Sequence, residues 1–134
     1  MSETLTLPKI VISRDDFETL GNLAEIAAPD QKAAADLLQR ELQRARIVAP
    51  EKLDPGVVRI GAFVCYRLGA GPERTVQLVL PYQADIAHNR ISVLTPVGAA
   101  LIGLSHGQAI RFTATDGRSQ VLQVIRVSQT GDMS

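Results

Sequence analysis

The chain has no tryptophan, and its only other aromatic residues are three phenylalanines and two tyrosines. A pocket walled by aromatic rings, the usual lining of an apolar ligand site, is therefore not what this sequence is built around. A single cysteine, Cys65, excludes an internal disulfide and fits a reducing compartment. Two histidines and that one cysteine are too widely separated for a zinc site, so no metal is expected. Net charge is missing as well: fourteen basic residues balance fourteen acidic ones. Without a global field, neither nucleic acid nor anionic lipid is attracted, and a partner must be recognised through local patches. No apolar run approaches the ~20 residues that span a bilayer. The first residues, with Glu3 among several polar ones, lack the basic and apolar regions of a secretory signal. A cytoplasmic location with no membrane partner is the expectation. The turn "GAGPER" (69–74) lacks the lysine and following helix of a phosphate loop, so no cofactor is implied.

What is present divides near residue 50. Before it, apolar residues come at helical spacing; after it, valine, isoleucine and glycine take over. "APEKLDPGV" (49–57) separates the halves with two prolines and a glycine. The expected organisation is a helical part at 1–48, a linker at 49–56 and a sheet domain at 57–134. In the first part a short extended run, "PKIVIS", precedes Ser13, which can cap a helix from Arg14 to about Ala28, with Asp15 and Asp16 near its positive end. Phe17, Leu20, Ala24 and Ala27 share one face of it. Pro29-Asp30 breaks it, and a second helix is expected through "DQKAAADLLQRELQRARIV" (30–48), capped by Asp30, with Ala34, Leu38, Leu42 and Ala45 inward. Two such stripes joined by a tight turn pack as a short antiparallel hairpin, either protruding or folded back on the core.

After residue 56, "GVVRIGAFVCYRL" and "RTVQLVLPY" are expected as long strands around a glycine turn, and "IRFTATDGRSQVLQVIRV" as a hairpin about Asp116-Gly117. Between these pairs lies "ISVLTPVGAALIGLSHGQAI" (91–110), uncharged from end to end. Ile91–Val93 makes a short strand. Thr95 suits an N-cap and Pro96 the first helical position. Val97, Ala100, Leu101 and Leu104 form an apolar face, Gly98 and Gly103 permit close backbone approach, and Gly107 closes the turn. A helix apolar nearly all round is buried, and here it would plug the concave side of a twisted antiparallel sheet.

This motif resembles the C-terminal signature of the GreA/GreB transcription elongation factor family, and "TPVGAALIGL" looks like its subgroup called regulator of nucleoside diphosphate kinase. "ELQRARIVAPEKLDPGVVRIG" and "LVLPYQADIAHNRISV" share in the resemblance, which spans most of residues 37–112. It implies an α+β protein: an N-terminal antiparallel coiled coil and a C-terminal FKBP-like antiparallel sheet with one packed helix. It also implies RNA polymerase as partner, gripped at the rim of the secondary channel, with nucleic acid met only indirectly and an indirect link to nucleoside diphosphate kinase. Ala99 stands where cleavage factors carry arginine, Leu104 where they carry lysine, and Gln108 where an acid follows the glycine.

Three functions compete. A non-enzymatic regulator would bind polymerase through groups flanking the plug helix: Asp85, His88, Asn89, Arg90, Ser105, His106 and Gln108. A cleavage co-factor would need two carboxylates at the hairpin tip to hold a divalent cation, where this chain offers Glu25 and Asp30. A peptidyl-prolyl isomerase is suggested by the FKBP-like fold alone, which does not carry function; Phe63, Tyr66, Tyr82 and Phe112 are expected in the core or at its rim. No catalytic residue is assigned: His88 and His106 have no nucleophile but Cys65, which sits in a β run where a buried inert thiol is expected.

Overall fold

A computed structural model describes residues 7–113 and 117–131. It is a mixed α+β fold. Strand β1 (Val11–Ser13) leads into helix α1 (Arg14–Glu25), and a 3-10 turn at Pro29–Gln31 leads into α2 (Lys32–Arg44) and strand β2 (Arg46–Val48). Then come β3 (Phe63–Leu68), β4 (Glu73–Val79), β5 (Arg90–Ser92), helix α3 (Pro96–Leu101), β6 (Ala109–Thr113) and β7 (Ser119–Ser128). The last five strands form one sheet in the order β5-β4-β3-β7-β6, while β1 and β2 pair separately.

Ser13 caps α1, its Oγ accepting from the Asp16 amide at 3.2 Å. The helix stops at Glu25, three residues short of Ala28. The second helix departs further from expectation. Asp30 caps nothing: it lies exposed in the 3-10 turn, and α2 starts without a side-chain cap. The Gln31 side chain closes that turn instead, its Oε1 accepting from the Ala28 amide at 3.3 Å. At the other end Ala45 is extended, and Arg46–Val48 leaves the helical path to pair parallel with Val11–Ser13. A strand partner brought from residue 11 overrides a helical pattern that is satisfied locally.

The β-rich half also breaks where alternation alone sees continuity. Only Phe63–Leu68 of "GVVRIGAFVCYRL" is a strand; Val57 and Val58 bind instead to the segment after α3, through a Val57–Ser105 bridge and a Val58 amide donating to Leu104 O at 2.8 Å. The sheet is not wholly antiparallel, because β5 runs parallel to β4, pairing Gln77–Val79 with Arg90–Ser92. The chain between them makes two 3-10 turns (81–83, 86–88) and re-enters in the same direction. β6 and β7 are antiparallel, with Thr113 opposite Ser119; Asp116 lies outside the described residues, while Gly117 has φ +84°.

One continuous core joins both halves: Leu20, Leu38 and Leu42 from the helices, Val64, Leu78, Leu122 and Val124 from the sheet, and Leu101, Ile102 and Leu104 between. Helix α3 is the joint, contacting α2 on one side and β6 on another. Thr95 Oγ1 accepts from the Gly98 amide at 3.1 Å and donates to Ser92 O at 2.7 Å. Gly98 is indispensable here, since a Cβ at this position would lie 2.1 Å from Ser92 O.

Two polar ties reinforce the joint. Glu41, buried on α2, receives Arg44 Nη2 at 2.6 Å, and Arg44 also donates to Pro8 O. Asp16 is 9% exposed and accepts from the Ile60 amide at 3.1 Å, fastening α1 to the segment before β3. Burial pushes the Asp16 carboxyl above its ordinary value of 3.8, against the Ile60 hydrogen bond and nearby Arg59, which lower it.

Three stability outcomes follow from these contacts. Gly98→Ala should destabilise by about 1–3 kcal/mol or more through overpacking, whereas Gly21→Ala, with nothing within 4 Å of the new Cβ, should stabilise by up to ~1 kcal/mol; urea unfolding distinguishes them. Leu101→Ala should cost about 2–5 kcal/mol, and Leu101→Asp more. Because the folded-state pKa of Asp16 is raised, its contribution is fully present below 3.8 and is lost as pH rises through the folded value. Asp16→Asn keeps an acceptor for Ile60 and cannot ionise. It should therefore gain on the wild type as unfolding is measured from acid toward neutral pH, and an unchanged difference would remove the buried charge from the account.

Candidate docking site

A cavity of about 450 Å³ opens over the N-terminus of α3. Tyr66 and Leu68 of β3, Ile91 of β5, Phe112 of β6 and Pro96-Val97 of α3 wall it, with Ile86 and Arg90 at its edge. The lining is almost entirely apolar, and Ile86 is 86% exposed. Burial raises the Tyr66 hydroxyl above its ordinary value, with Arg74 opposing, so the ring enters the wall uncharged. Phe112 and Tyr66 are buried core residues that double as cavity floor, Phe63 is half-buried, and Tyr82 is not in the core at all: it is 82% exposed.

The polar rim is one tightly wound loop. Asp85 Oδ1 accepts from the Ala87 amide at 3.1 Å, and its Oδ2 lies 2.6 Å from His88 Nδ1. Asn89 takes the left-handed conformation, φ 56°, that ends this turn, and Asp85 and Arg90 exchange backbone hydrogen bonds at 2.9 Å. Asp85, His88, Asn89 and Arg90 are thus gathered in one place, of which Arg90 reaches the cavity. Ser105, His106 and Gln108 are not part of it. They lie in the turn before β6, where the Ser105 amide donates to Gln108 Oε1 at 2.8 Å, Gln108 Nε2 donates to Lys9 O at 3.1 Å, and the His106 amide donates to Gly56 O at 3.0 Å. Gln108 therefore ties this turn to the chain before β1.

At the far end of the helices, Glu25 and Asp30 are exposed, and between them Ile26 is 78% exposed. No group of three or more metal-ligating side chains occurs among the described residues, and none of their helices is long and apolar enough to cross a membrane. Of the residues that line this cavity, the sequence pointed to Arg90 alone as a contact, and Ile86 and Val97 were missed. Ile86, isolated and aliphatic in an otherwise polar loop, is the signal available for it.

Residues 51–129 match the family model described as transcription elongation factor, GreA/GreB, C-term, and residues 8–48 match the Rnk N-terminus. The chain belongs to the GreA/GreB family. It is 34% identical over 124 residues to the regulator of nucleoside diphosphate kinase of Escherichia coli (strain K12), covering 92% of this chain and 91% of that one. To the transcription elongation factor GreA of Thermosipho africanus it is 36% identical over 81 residues, 60% of this chain but 51% of the relative. Among solved structures, a prokaryotic transcription elongation factor GreA/GreB from Nitrosomonas europaea superposes with a TM-score of 0.69 at 36% identity, over 90% of this chain and 98% of that one. A GreA/GreB-like fold and the role of a transcription elongation factor-like regulator follow from this membership. The cavity and its loop lie wholly within the residues that match the family's C-terminal model.

The loop geometry gives a local test of how the rim is held. Asp85→Ala removes the Ala87 cap and the His88 partner together, and losing such a cap costs about 0.5–2 kcal/mol. The Ala87 and Asn89 amides should exchange with solvent faster, while those of Val64 and Leu122 should not change. Unaltered exchange at Ala87 would mean that the carboxylate does not order this loop.

Proposed function

We propose that this protein is a non-enzymatic regulator that binds RNA polymerase through its sheet half, residues 57–134, near the secondary channel. The single observation that carries the reading is the apolar cavity over α3, rimmed by Ile86, Val97 and Arg90, in the part of the chain that is similar to the family's C-terminal domain. A concave apolar centre with one arginine at its edge suits a protein partner, since aromatic and arginine-rich centres dominate binding energy. On this proposal the sheet half is FKBP-like, and α1 with α2 forms a short antiparallel coiled-coil hairpin within residues 1–48, joined through 49–56. In docking through this cavity, nucleic acid is met only indirectly, through the polymerase. Any effect on nucleoside diphosphate kinase, the enzyme in the name of the Escherichia coli relative, is likewise indirect.

The hairpin is proposed to occupy the channel mouth without doing chemistry. Helix α1 has twelve residues, which at ~1.5 Å each gives about 18 Å. Its tip is apolar: Ile26, Ala27, Ala28 and Pro29 separate Glu25 from Asp30, and a divalent cation needs oxygen ligands held together. Competition with cleavage factors, without catalysis, is the consequence.

Pull-down with core RNA polymerase and cleavage assays on stalled complexes test this. Ile86→Glu should weaken polymerase binding about tenfold or more, with thermal stability near wild type because Ile86 is exposed. The wild-type protein should leave RNA cleavage at the rate of the polymerase alone and inhibit an added cleavage factor in a dose-dependent way. Acceleration that disappears in Asp30→Asn would make the tip catalytic and overturn the reading.

A further inference from the structure

A second cavity, of about 580 Å³, adjoins the docking cavity, with Ala84 and Arg90 lining both. Its chemistry is different. Gly61, Gln77, Tyr82, Gln83, Asp85 and Arg90 make its walls predominantly polar. Tyr82 is 82% exposed, and an aromatic face held in the open can stack on any planar base. The Arg90 side chain makes no hydrogen bond or ion pair with any of the described residues. Asp85, in the same lining, makes no ion pair with it: its oxygens meet His88 Nδ1 at 2.6 Å and the Ala87 amide at 3.1 Å. A planar guanidinium with five donors and no partner matches the oxygens of a phosphate. Gln83 commits its Oε1 to the Leu80 amide at 3.2 Å, which leaves its amide NH₂ free to donate. Gln77 is held in place by donating to Gly61 O at 3.2 Å. Beyond residue 56 the chain carries seven arginines, no lysine and four acidic residues, an excess that favours an anion in this half.

We propose that this cavity binds a nucleotide: the base stacks on Tyr82, its edge accepts from the Gln83 amide, and the phosphate takes the Arg90 fork. One guanidinium serves one phosphate group, so the ligand class is a nucleoside monophosphate, either free or as the terminal residue of a single strand. The volume lies in the range of small-ligand sites. The proposal stands on this cavity alone and does not depend on polymerase docking.

The test uses the full-length, isotope-labelled protein without polymerase, following the backbone amides of Gly61, Gln77, Tyr82, Gln83 and Arg90 by NMR. Titrants are a nucleoside monophosphate, the nucleoside without phosphate, inorganic phosphate, and a short single-stranded RNA with a terminal phosphate. Saturable shifts at these amides with the monophosphate at millimolar concentration or below are expected. Arg90→Gln should weaken them about tenfold or more, and Tyr82→Ala about tenfold. Both side chains are exposed, so unchanged melting of the variants accompanies the loss. RNA that saturates at much lower concentration than the monophosphate identifies a strand end as the source of the ligand; equal or weaker RNA binding identifies the free nucleotide. The proposal is overturned if neither gives a saturable shift, if Arg90→Gln binds as wild type does, or if inorganic phosphate or the bare nucleoside binds as tightly as the nucleotide.

Discussion

Helix α3 has only six residues, too few to be stable alone, and it exists because its first turn is pinned to the end of β5. Thr95 and Ser92 form the pin. The Gly98 amide donates to Thr95 Oγ1, that hydroxyl donates to Ser92 O, and Ser92 Oγ in turn accepts from the Leu94 amide at 2.9 Å. The geometry leaves room for nothing larger than hydrogen at Gly98, which lies close against the Ser92 carbonyl. Once the helix is set, Ala99, Ala100 and Leu101 are buried, and the chain that leaves it organises both halves of the molecule. Gly103, at φ +81°, donates to Val58 O at 2.9 Å and accepts from the Val11 amide at 3.1 Å. A single short segment thus fixes the strand before α1 and the segment before β3. The cavity proposed to receive polymerase opens over the same helix, so its shape depends on the same pin.

Polar groups hold the helices to this frame in a way apolar packing alone would not specify. Asp16 reaches from α1 to the Ile60 amide, and Arg44 reaches from α2 to Pro8 O while neutralising buried Glu41. Each fixes a particular register, because a buried charge or carboxylate out of place is left without its partner. Burial of the Asp16 carboxylate opposes folding near neutral pH, a penalty that its hydrogen bond and Arg59 only partly offset. Ionic and hydrogen-bonded groups therefore decide where α1 and α2 sit, while leucines decide that they pack at all.

What the sequence made legible was local. The caps at Ser13 and Thr95 depend on side chains and amides three residues apart, and Pro96 follows from its own ring geometry. The inward faces through Leu20, Leu38 and Leu42 need only helical period. Features set by distant chain segments were not legible. Arg46–Val48 continues a helical pattern yet becomes a strand because Val11–Ser13 lies beside it. Val57 and Val58 look like the start of a long strand, but their hydrogen-bond partners come from residues 104 and 105. The direction of β5 is decided by the winding of residues 80–89, which no alternation encodes. The cavity is less legible still, since β3, β5, α3 and β6 each contribute one to three of its lining residues.

A photo-crosslinking amino acid placed at position 97, 86 or 121 of the full-length protein bears most directly on docking. Val97 and Ile86 border the cavity, whereas Val121 lies on β7 beside the fully buried Leu122 and faces away from the core. Irradiation with core RNA polymerase should give protein–polymerase adducts from positions 97 and 86 and none from 121. Adducts from 121 with none from 97 or 86 would contradict docking through this cavity.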